Sequence, residues 1–268
     1  MTTVLSREQI EDLGEIQAIA NRFDAELVII GAVALLCFLK DLGRFTRDID
    51  LVIALDLDRF PEFVKMLISR GWIAQSRLEH RWRSKSGSVV DLLPAGPKLR
   101  AEKRIVWPGS QFEMNLVGFQ HVFDRAVPVE FGSGGQFKVA PLPVIALLKV
   151  AAYLDDRYRR AKDLEDLKTL FYRYEKDSDR IFCDEVFRAE LEDIEYASAF
   201  LLGMDIGAIA TTEDLDSLRK FLDQFEATKA FADTDDPSSR EARFQKEILA
   251  FQKGLLVTRT AMRRTRFI

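Results

Sequence analysis

Apolar residues recur three and four positions apart over residues 7 to 22, where Ile10, Leu13, Ile16 and Ile19 form one stripe. This spacing predicts an amphipathic helix, capped by Ser6 and with Glu8 and Glu11 toward its positive end. The pattern then changes. ELVII, residues 26 to 30, is a short β-branched run that closes on Gly31, and AVALLCFLKDL follows as a helix that is apolar on most faces. RDIDLVIAL, residues 47 to 55, alternates and then becomes wholly apolar, as a central strand entering a covered sheet does. Asp58 and Pro61 open the helix DRFPEFVKMLISRG, which Gly71 ends. Strand-like pieces follow around WIAQSRLEHRWRS, SGSVVDLLP and FEMNLVG, with Gly87 at a hairpin turn, and VPVEF and QFKVA flank a GSGG turn.

After Pro141 and Pro143 only the helical period remains, in PVIALLKVAAYLDD, DLEDLKTLFYRY, EYASAFLLGM, LDSLRKFLDQFEATKAF and REARFQKEILAFQKGLL. The expected organisation is a mixed-sheet α/β domain over residues 1–140 and a helical domain over 141–268, which closes the cleft and selects the acceptor. Hydrophobic residues at 47% and charged residues at 31% exclude extended disorder. Two cysteines, Cys37 and Cys183, are too few for a disulfide framework or a thiolate metal site and fit a reducing cytoplasm. The start lacks the layout of a secretion signal and the apolar runs are too short to span a bilayer, so a soluble protein without membrane contact is expected.

Chemistry concentrates in the alternating strand. Residues two apart on a strand share a face, so Asp48 and Asp50 present two carboxylates together. Such a pair is tolerable at a wet strand end or with a cation between the charges, and hard oxygen ligands suit Mg²⁺ held jointly with phosphates. Asp56 and Asp58 repeat the spacing, but helix capping accounts for them. Asp91 stands in VVDLL, where a charge amid apolar neighbours is costly without a partner. If its strand lies beside that of Asp48 and Asp50, the three acids surround one metal pair of the kind that clamps entering and leaving oxygens. The turn at Gly31 and Ala32 offers free backbone N–H groups to an anion, or is a simple tight turn.

The run IIGAVALLCFLKDLGRFTRDIDLVI, followed by VVDLL, resembles the nucleotidyltransferase superfamily: a small-residue turn after a strand, an acidic pair, then a third acidic strand residue. Within it, Arg44, Thr46, Asp48, Ile49, Asp50 and Leu51 are similar to the AbiEii-type branch, toxin components of bacterial toxin–antitoxin pairs. PLPVIALLKVAAYLDDRYRRAKDLEDLKTL resembles that branch's later motif, with Lys149, Arg157, Lys162, Asp163 and Asp166 at the matching positions. The resemblance implies that Asp48 and Asp50 bind Mg²⁺ or Mn²⁺, that Asp91 completes one metal site and helps deprotonate an acceptor hydroxyl, and that pyrophosphate leaves an NTP. It also implies that Lys149 neutralises triphosphate charge, that the acceptor is RNA, a protein or a small molecule, and that an antitoxin partner exists. The family's turn usually has Gly or Ser where this chain has Ala32, so phosphate binding here relies on backbone N–H groups.

Several readings stay open at the level of residues. A non-catalytic nucleotide-binding or protein-interaction module on the same fold, and a drug-modifying nucleotidyltransferase, are the alternatives. Lys149 is also the snorkelling lysine of an amphipathic helix, and Lys162 with Asp166 also an i,i+4 ion pair. Arg44 and Arg47 contact phosphate or balance the acids. Arg77, Arg81, Arg83 and Lys85 around Trp82 suit RNA stacking or a solvated hairpin with a packed tryptophan. Arg259, Arg263, Arg264 and Arg266 suit phosphate, an acidic partner or a solvated tail. His80 and His121 have no nucleophile pattern beside them and are expected to be structural. No GxxxxGK[ST] or GxGxxG segment occurs, and the net charge of -4 gives no global footprint for nucleic acid.

Overall fold

A computed structural model of the chain describes residues 4–39, 41–42, 46–75, 78–132, 135–228 and 240–265. The chain divides into two compact units, Met1–Ile145 and Ala146–Ile268. The first unit opens with α1 (Arg7–Arg22), whose start is a capping box: Gln9 N–H donates to Ser6 Oγ at 3.2 Å and Ser6 N–H donates to Gln9 Oε1 at 2.8 Å. Strand β1 (Leu27–Ile30) runs without a loop into α2 (Gly31–Leu39), which therefore begins one residue earlier than the apolar pattern suggests. The chain continues through β2 (Asp48–Ile53), α3 (Phe60–Arg70), β3 (Ile73–Gln75), β4 (Leu78–Arg83) and β5 (Val89–Pro94). Then come α4 (Pro97–Glu102), β6 (Arg104–Val106), β7 (Glu113–Asn115), α5 (Phe119–Arg125), β8 (Val127–Glu130) and β9 (Gln136–Val139).

Seven strands form one mixed sheet in the order β3-β4-β5-β2-β1-β9-β8, and β6 with β7 forms a separate two-stranded ladder. The β2–β5 and β1–β9 pairs are parallel and the other pairs of both sheets antiparallel. Ile49, Leu51, Val52, Val90 and Leu92 are fully buried, which is why the middle of the sheet reads as continuous apolar sequence. On the helical side, α1 and α3 meet, and Trp72 Nε1 donates to Glu15 Oε2 at 2.7 Å.

One expectation is corrected and one open alternative is closed. Asp56 and Asp58 do not cap α3, whose N-cap residue is Arg59 without a side-chain hydrogen bond. Instead, Asp56 accepts from the backbone N–H of Leu99 at 3.1 Å and of Lys98 at 3.3 Å, capping α4, and Asp58 pairs with Lys98 at 2.7 Å. The reason is topological: the β2–β5 ladder brings Gly96 N–H onto Leu55 O at 3.0 Å, so the end of β2 lies beside the start of α4. Trp82 is buried at 3% exposure, which withdraws it from base stacking and leaves the packed hairpin; Arg77 lies outside the described residues.

The second unit is helical. Helix α6 (Leu142–Asp155) enters it, followed by α7 (Ala161–Arg173), α8 (Asp184–Arg188), α9 (Ala197–Ile209), α10 (Thr212–Thr228) and α11 (Arg240–Thr265). Its core is aromatic: Phe171 lies 4.9 Å from Phe251 and 5.9 Å from Phe244, and Phe225 lies 5.0 Å from Phe221 and 5.2 Å from Phe244, centroid to centroid. Helices α9 and α11 touch backbone to backbone, because Gly203, Gly207 and Gly254 offer no side chain at the crossing. Thr258 Oγ1 ties them by donating to Met204 O at 3.1 Å. No helix among the described residues is long and apolar enough to cross a membrane.

Cys37 sits half-buried on α2 and Cys183 precedes α8; both thiols are free. Burial pushes the Cys37 thiol up to about 11, well above the ordinary thiol range. At pH 8 the thiolate fraction then falls roughly a hundredfold, and since a more basic thiolate is the stronger nucleophile, Cys37 is expected to react with iodoacetamide about ten times more slowly than a free thiol or slower. Peptide mass spectrometry over time checks this, and labelling as fast as that of glutathione would show that α2 does not shield the sulfur.

Candidate active site

Register builds the site before any side chain is considered. Asp50 pairs with Asp91 across the parallel β2–β5 ladder, and Arg81 pairs with Asp91 across the antiparallel β4–β5 ladder. Paired residues on neighbouring strands share a face, so Arg81, Asp91 and Asp50 form one row across three strands, and Asp48 joins the same face two residues before Asp50. The opposite face carries Trp82, Val90 and Ile49, all buried. Three carboxylates and one guanidinium thus stand together on a sheet whose other side is core.

The guanidinium holds two of the acids. Arg81 Nε donates to Asp91 Oδ1 at 2.7 Å and Arg81 Nη2 to Asp91 Oδ2 at 2.6 Å, the bidentate fork that suits a carboxylate, and Nη2 also reaches Asp48 Oδ2 at 2.9 Å. The hydrogen bonds to Asp91, with the charges of Asp91, Asp48 and Asp50 behind them, raise the Arg81 pKa above its ordinary value against the opposing cost of burial. Asp91 is only 8% exposed, so this partner is what makes a charge tolerable in VVDLL. Thr46 Oγ1 donates weakly to Asp48 O at 3.3 Å and Oδ1 at 3.4 Å.

Gly31 completes the site. Its φ of 67° lies in the left-handed region, and a Cβ there would lie 2.7 Å from Asp50 Cγ and closer still to Oδ2. The missing side chain leaves room for the Asp50 carboxylate beside the first turn of α2, whose opening N–H groups have no partners within the helix. Ala32 follows, buried at 7%. Arg47 is exposed before β2, and Arg44 lies outside the described residues.

The later motif gathers in the second unit. Lys149 on α6 is 8% exposed and its Nζ lies 2.9 Å from Asp163 Oδ1 and 2.6 Å from Asp166 Oδ2, both on α7. Asp166 is itself 4% exposed and Lys162 is exposed, so Lys149 is a buried ion-paired group rather than a snorkelling one, and the acid at 166 serves Lys149. Arg157 is exposed between α6 and α7. Arg266 and the side chains of Arg259, Arg263 and Arg264 lie outside the described residues. His80 stacks obliquely on Trp107 at 5.6 Å and His121 is buried beside Gln120, Nε2 to Nε2 3.3 Å.

Sequence reasoning placed Arg81 only in the basic hairpin and missed its position among the acids. Its signal was present: Trp82 on the core face puts Arg81 on the other, and Arg81 and Asp91 stand equally far from Ser86 in the turn before Gly87.

The three acids match the donor chemistry of a hard divalent cation: all oxygen, on one face, with space kept at Asp50 by Gly31. As they stand, no group of three His, Cys, Asp or Glu among the described residues is gathered to ligand spacing, and a cation, Arg81, already lies among them.

Among solved structures, an antigenic nucleotidyltransferase-like protein from Paracoccidioides brasiliensis is 15% identical, covers 84% of this chain and 93% of its own, and gives a TM-score of 0.42. JHP933 from Helicobacter pylori is 14% identical over 99% of this chain and 96% of its own, with a TM-score of 0.36. The antibiotic-resistance factor ANT(2'')-Ia is 17% identical over 62% of this chain and 92% of its own, with a TM-score of 0.38. No curated protein matches the chain. The family model described as "Nucleotidyl transferase AbiEii toxin, Type IV TA system" matches residues 17–261. Because that match runs through the acid row, the Gly31 turn and the Lys149 cluster alike, the chain belongs to the AbiEii nucleotidyltransferase toxin family.

Proposed function

We propose that this protein transfers a nucleoside monophosphate from an NTP to a hydroxyl acceptor, with Asp48, Asp50 and Asp91 as its catalytic acids and Mg²⁺ or Mn²⁺ as the cation. The observation that carries the reading is the row itself: Asp50 and Asp91 paired in register, with Asp48 on the same face. Bound there, a divalent ion supplies charge neutralisation of the triphosphate and of the leaving pyrophosphate. Asp48 and Asp50 would hold it, with Asp91 as third ligand.

This chain's own residues supply the rest. The opening N–H groups of α2, which Gly31 lets a phosphate approach, orient the triphosphate. Asp91 takes the proton of the acceptor hydroxyl as its oxygen forms a bond to the α-phosphorus. The bond from that phosphorus to the bridging oxygen breaks, and pyrophosphate departs with the electron pair. The β4–β5 hairpin, with its buried Trp82, keeps Asp91 fixed on the sheet. The family's description as a toxin supports an antitoxin partner for this chain, and the acceptor belongs to RNA, protein or a small molecule.

Gly31→Ala is expected to lower turnover about a hundredfold or more, since the Cβ displaces the Asp50 carboxylate, and to destabilise the fold by about 1–2 kcal/mol through left-handed strain. Pyrophosphate release and thermal melting, measured on one preparation, check both; full turnover would show that Asp50 does not need its present position. The function is tested with four α-labelled NTPs, Mg²⁺ or Mn²⁺, and a cell extract separated into RNA, protein and small molecules. Label in one fraction, absent with Asp48→Asn, supports transfer and identifies the acceptor class. NTP binding without label in any fraction would replace transfer by a binding module on the same fold.

A further inference from the structure

Three like charges on one sheet face repel, and a site built for a divalent ion has to survive in its absence. Arg81 meets that need in this chain. Both oxygens of Asp91 accept from it, at 2.7 and 2.6 Å, and Asp48 Oδ2 accepts at 2.9 Å from the same Nη2. The oxygens that Arg81 engages belong to two of the three proposed metal ligands.

We propose that Arg81 is a resident counter-cation that gates this site: its guanidinium neutralises Asp48 and Asp91 while no metal is bound, opposes the entry of a divalent ion until it is drawn aside, and so sets the metal affinity. The inference rests on the metal-dependent reading above and adds the residue that regulates it. Several observations make the contact a device rather than a surface ion pair. It is bidentate, it falls on register partners whose position the hairpin fixes, and its acceptor Asp91 is 8% exposed. The guanidinium takes a lone pair from each oxygen it holds, and its charge repels an arriving divalent ion, so metal binding is opposed while Arg81 keeps this position. Metal arriving alone therefore competes with Arg81. Metal arriving with a triphosphate brings phosphate oxygens, for which a released guanidinium is a natural partner.

The test is direct Mn²⁺ binding without nucleotide, read by the loss of the free Mn²⁺ resonance, on the full chain and on Arg81→Met and Arg81→Lys. Methionine keeps an unbranched apolar stem and removes the charge; lysine keeps the charge but loses the fork. Circular dichroism verifies that each variant is folded. Arg81→Met is expected to bind Mn²⁺ about tenfold tighter or more, Arg81→Lys less so, and a second change, Asp48→Asn, is expected to cancel the gain. A purely structural role for Arg81 would leave or weaken Mn²⁺ binding. Equal or weaker affinity in both folded variants, with Asp48-dependent pyrophosphate release intact in the parent chain, overturns the gate and leaves the proposed function standing. Absence of Mn²⁺ binding in every variant together with absence of pyrophosphate release overturns both.

Discussion

Asp50→Asn is expected to reduce pyrophosphate release about a thousandfold or more while leaving the fold intact. The magnitude follows from the charge it removes: a metal ligand underwrites several kcal/mol of transition-state stabilisation, and about 4 kcal/mol is a factor of roughly a thousand. Asp50 is the cleanest of the three acids to change. Asp48 and Asp91 also hold Arg81, so replacing either strips a partly buried guanidinium of a partner, whereas Asp50→Asn leaves both of those ion pairs in place. Asparagine is isosteric and keeps the packing against Gly31. Release measured at saturating NTP, with circular dichroism of the same sample, decides the matter: near-normal turnover from a folded variant would remove Asp50 from the catalytic set and with it the metal pair.

The second large effect concerns stability. At the α9–α11 crossing, a Cβ on Gly254 would lie 2.8 Å from Met204 N and 3.0 Å from Phe200 C, and closer to Phe200 O. None of these atoms belongs to a flexible side chain, so a helix has to move. Alanine raises helix propensity by about 1 kcal/mol, but forcing a carbon into a backbone contact costs about 1–3 kcal/mol or more, and it also spoils the Thr258 bond to Met204 O. The clash wins. Gly254→Ala is expected to melt several degrees lower, roughly 4–8 °C for a net loss near 2 kcal/mol. Gly14→Ala is the matched control. It lies mid-helix in α1 with open space around the new Cβ, so propensity acts alone and melting rises by a few degrees. Calorimetric melting of both variants in one buffer settles the comparison; a rise for Gly254→Ala would mean that the two helices do not meet at their backbones.

Much of the first unit was legible because its signals are local. Alternation at Asp48 and Asp50 fixes a shared face whatever the rest of the chain does, and the apolar surroundings of Asp91 mark a charge that needs a partner. The mixed sheet with flanking helices follows from the change of period along the chain. What escaped is non-local or short. That Asp91 stands beside Asp50 depends on the β2–β5 pairing, and the capping of α4 by Asp56 depends on the same ladder. Helices α4 and α5, at six and seven residues, and the three-residue strand β6 are too short to establish a period, whereas FEMNLVG did mark β7. The role of Arg81 was hidden for another reason: in LEHRWRSKSG its charge merges with Arg83 and Lys85, and alternation against Trp82 puts Arg81 and Arg83 on the same face, so only the β4–β5 register singles out Arg81.

The parallel pairing of β1 with β9 bears on how the protein is made. Strand β1 lies within the sheet, between β2 and β9, yet its parallel neighbour, Gln136–Val139, leaves the ribosome more than a hundred residues after Leu27–Ile30. At synthesis rates of about 5–20 residues per second, that interval is roughly five seconds or longer, during which one edge of β1 has no strand to bind. A nascent chain therefore passes through a stage with both acids of β2 present and the scaffold beneath them unfinished. A site that needs the finished sheet would then form only near the end of the first unit's synthesis, and the same interval is when an unwanted strand has its easiest access to the open edge of β1.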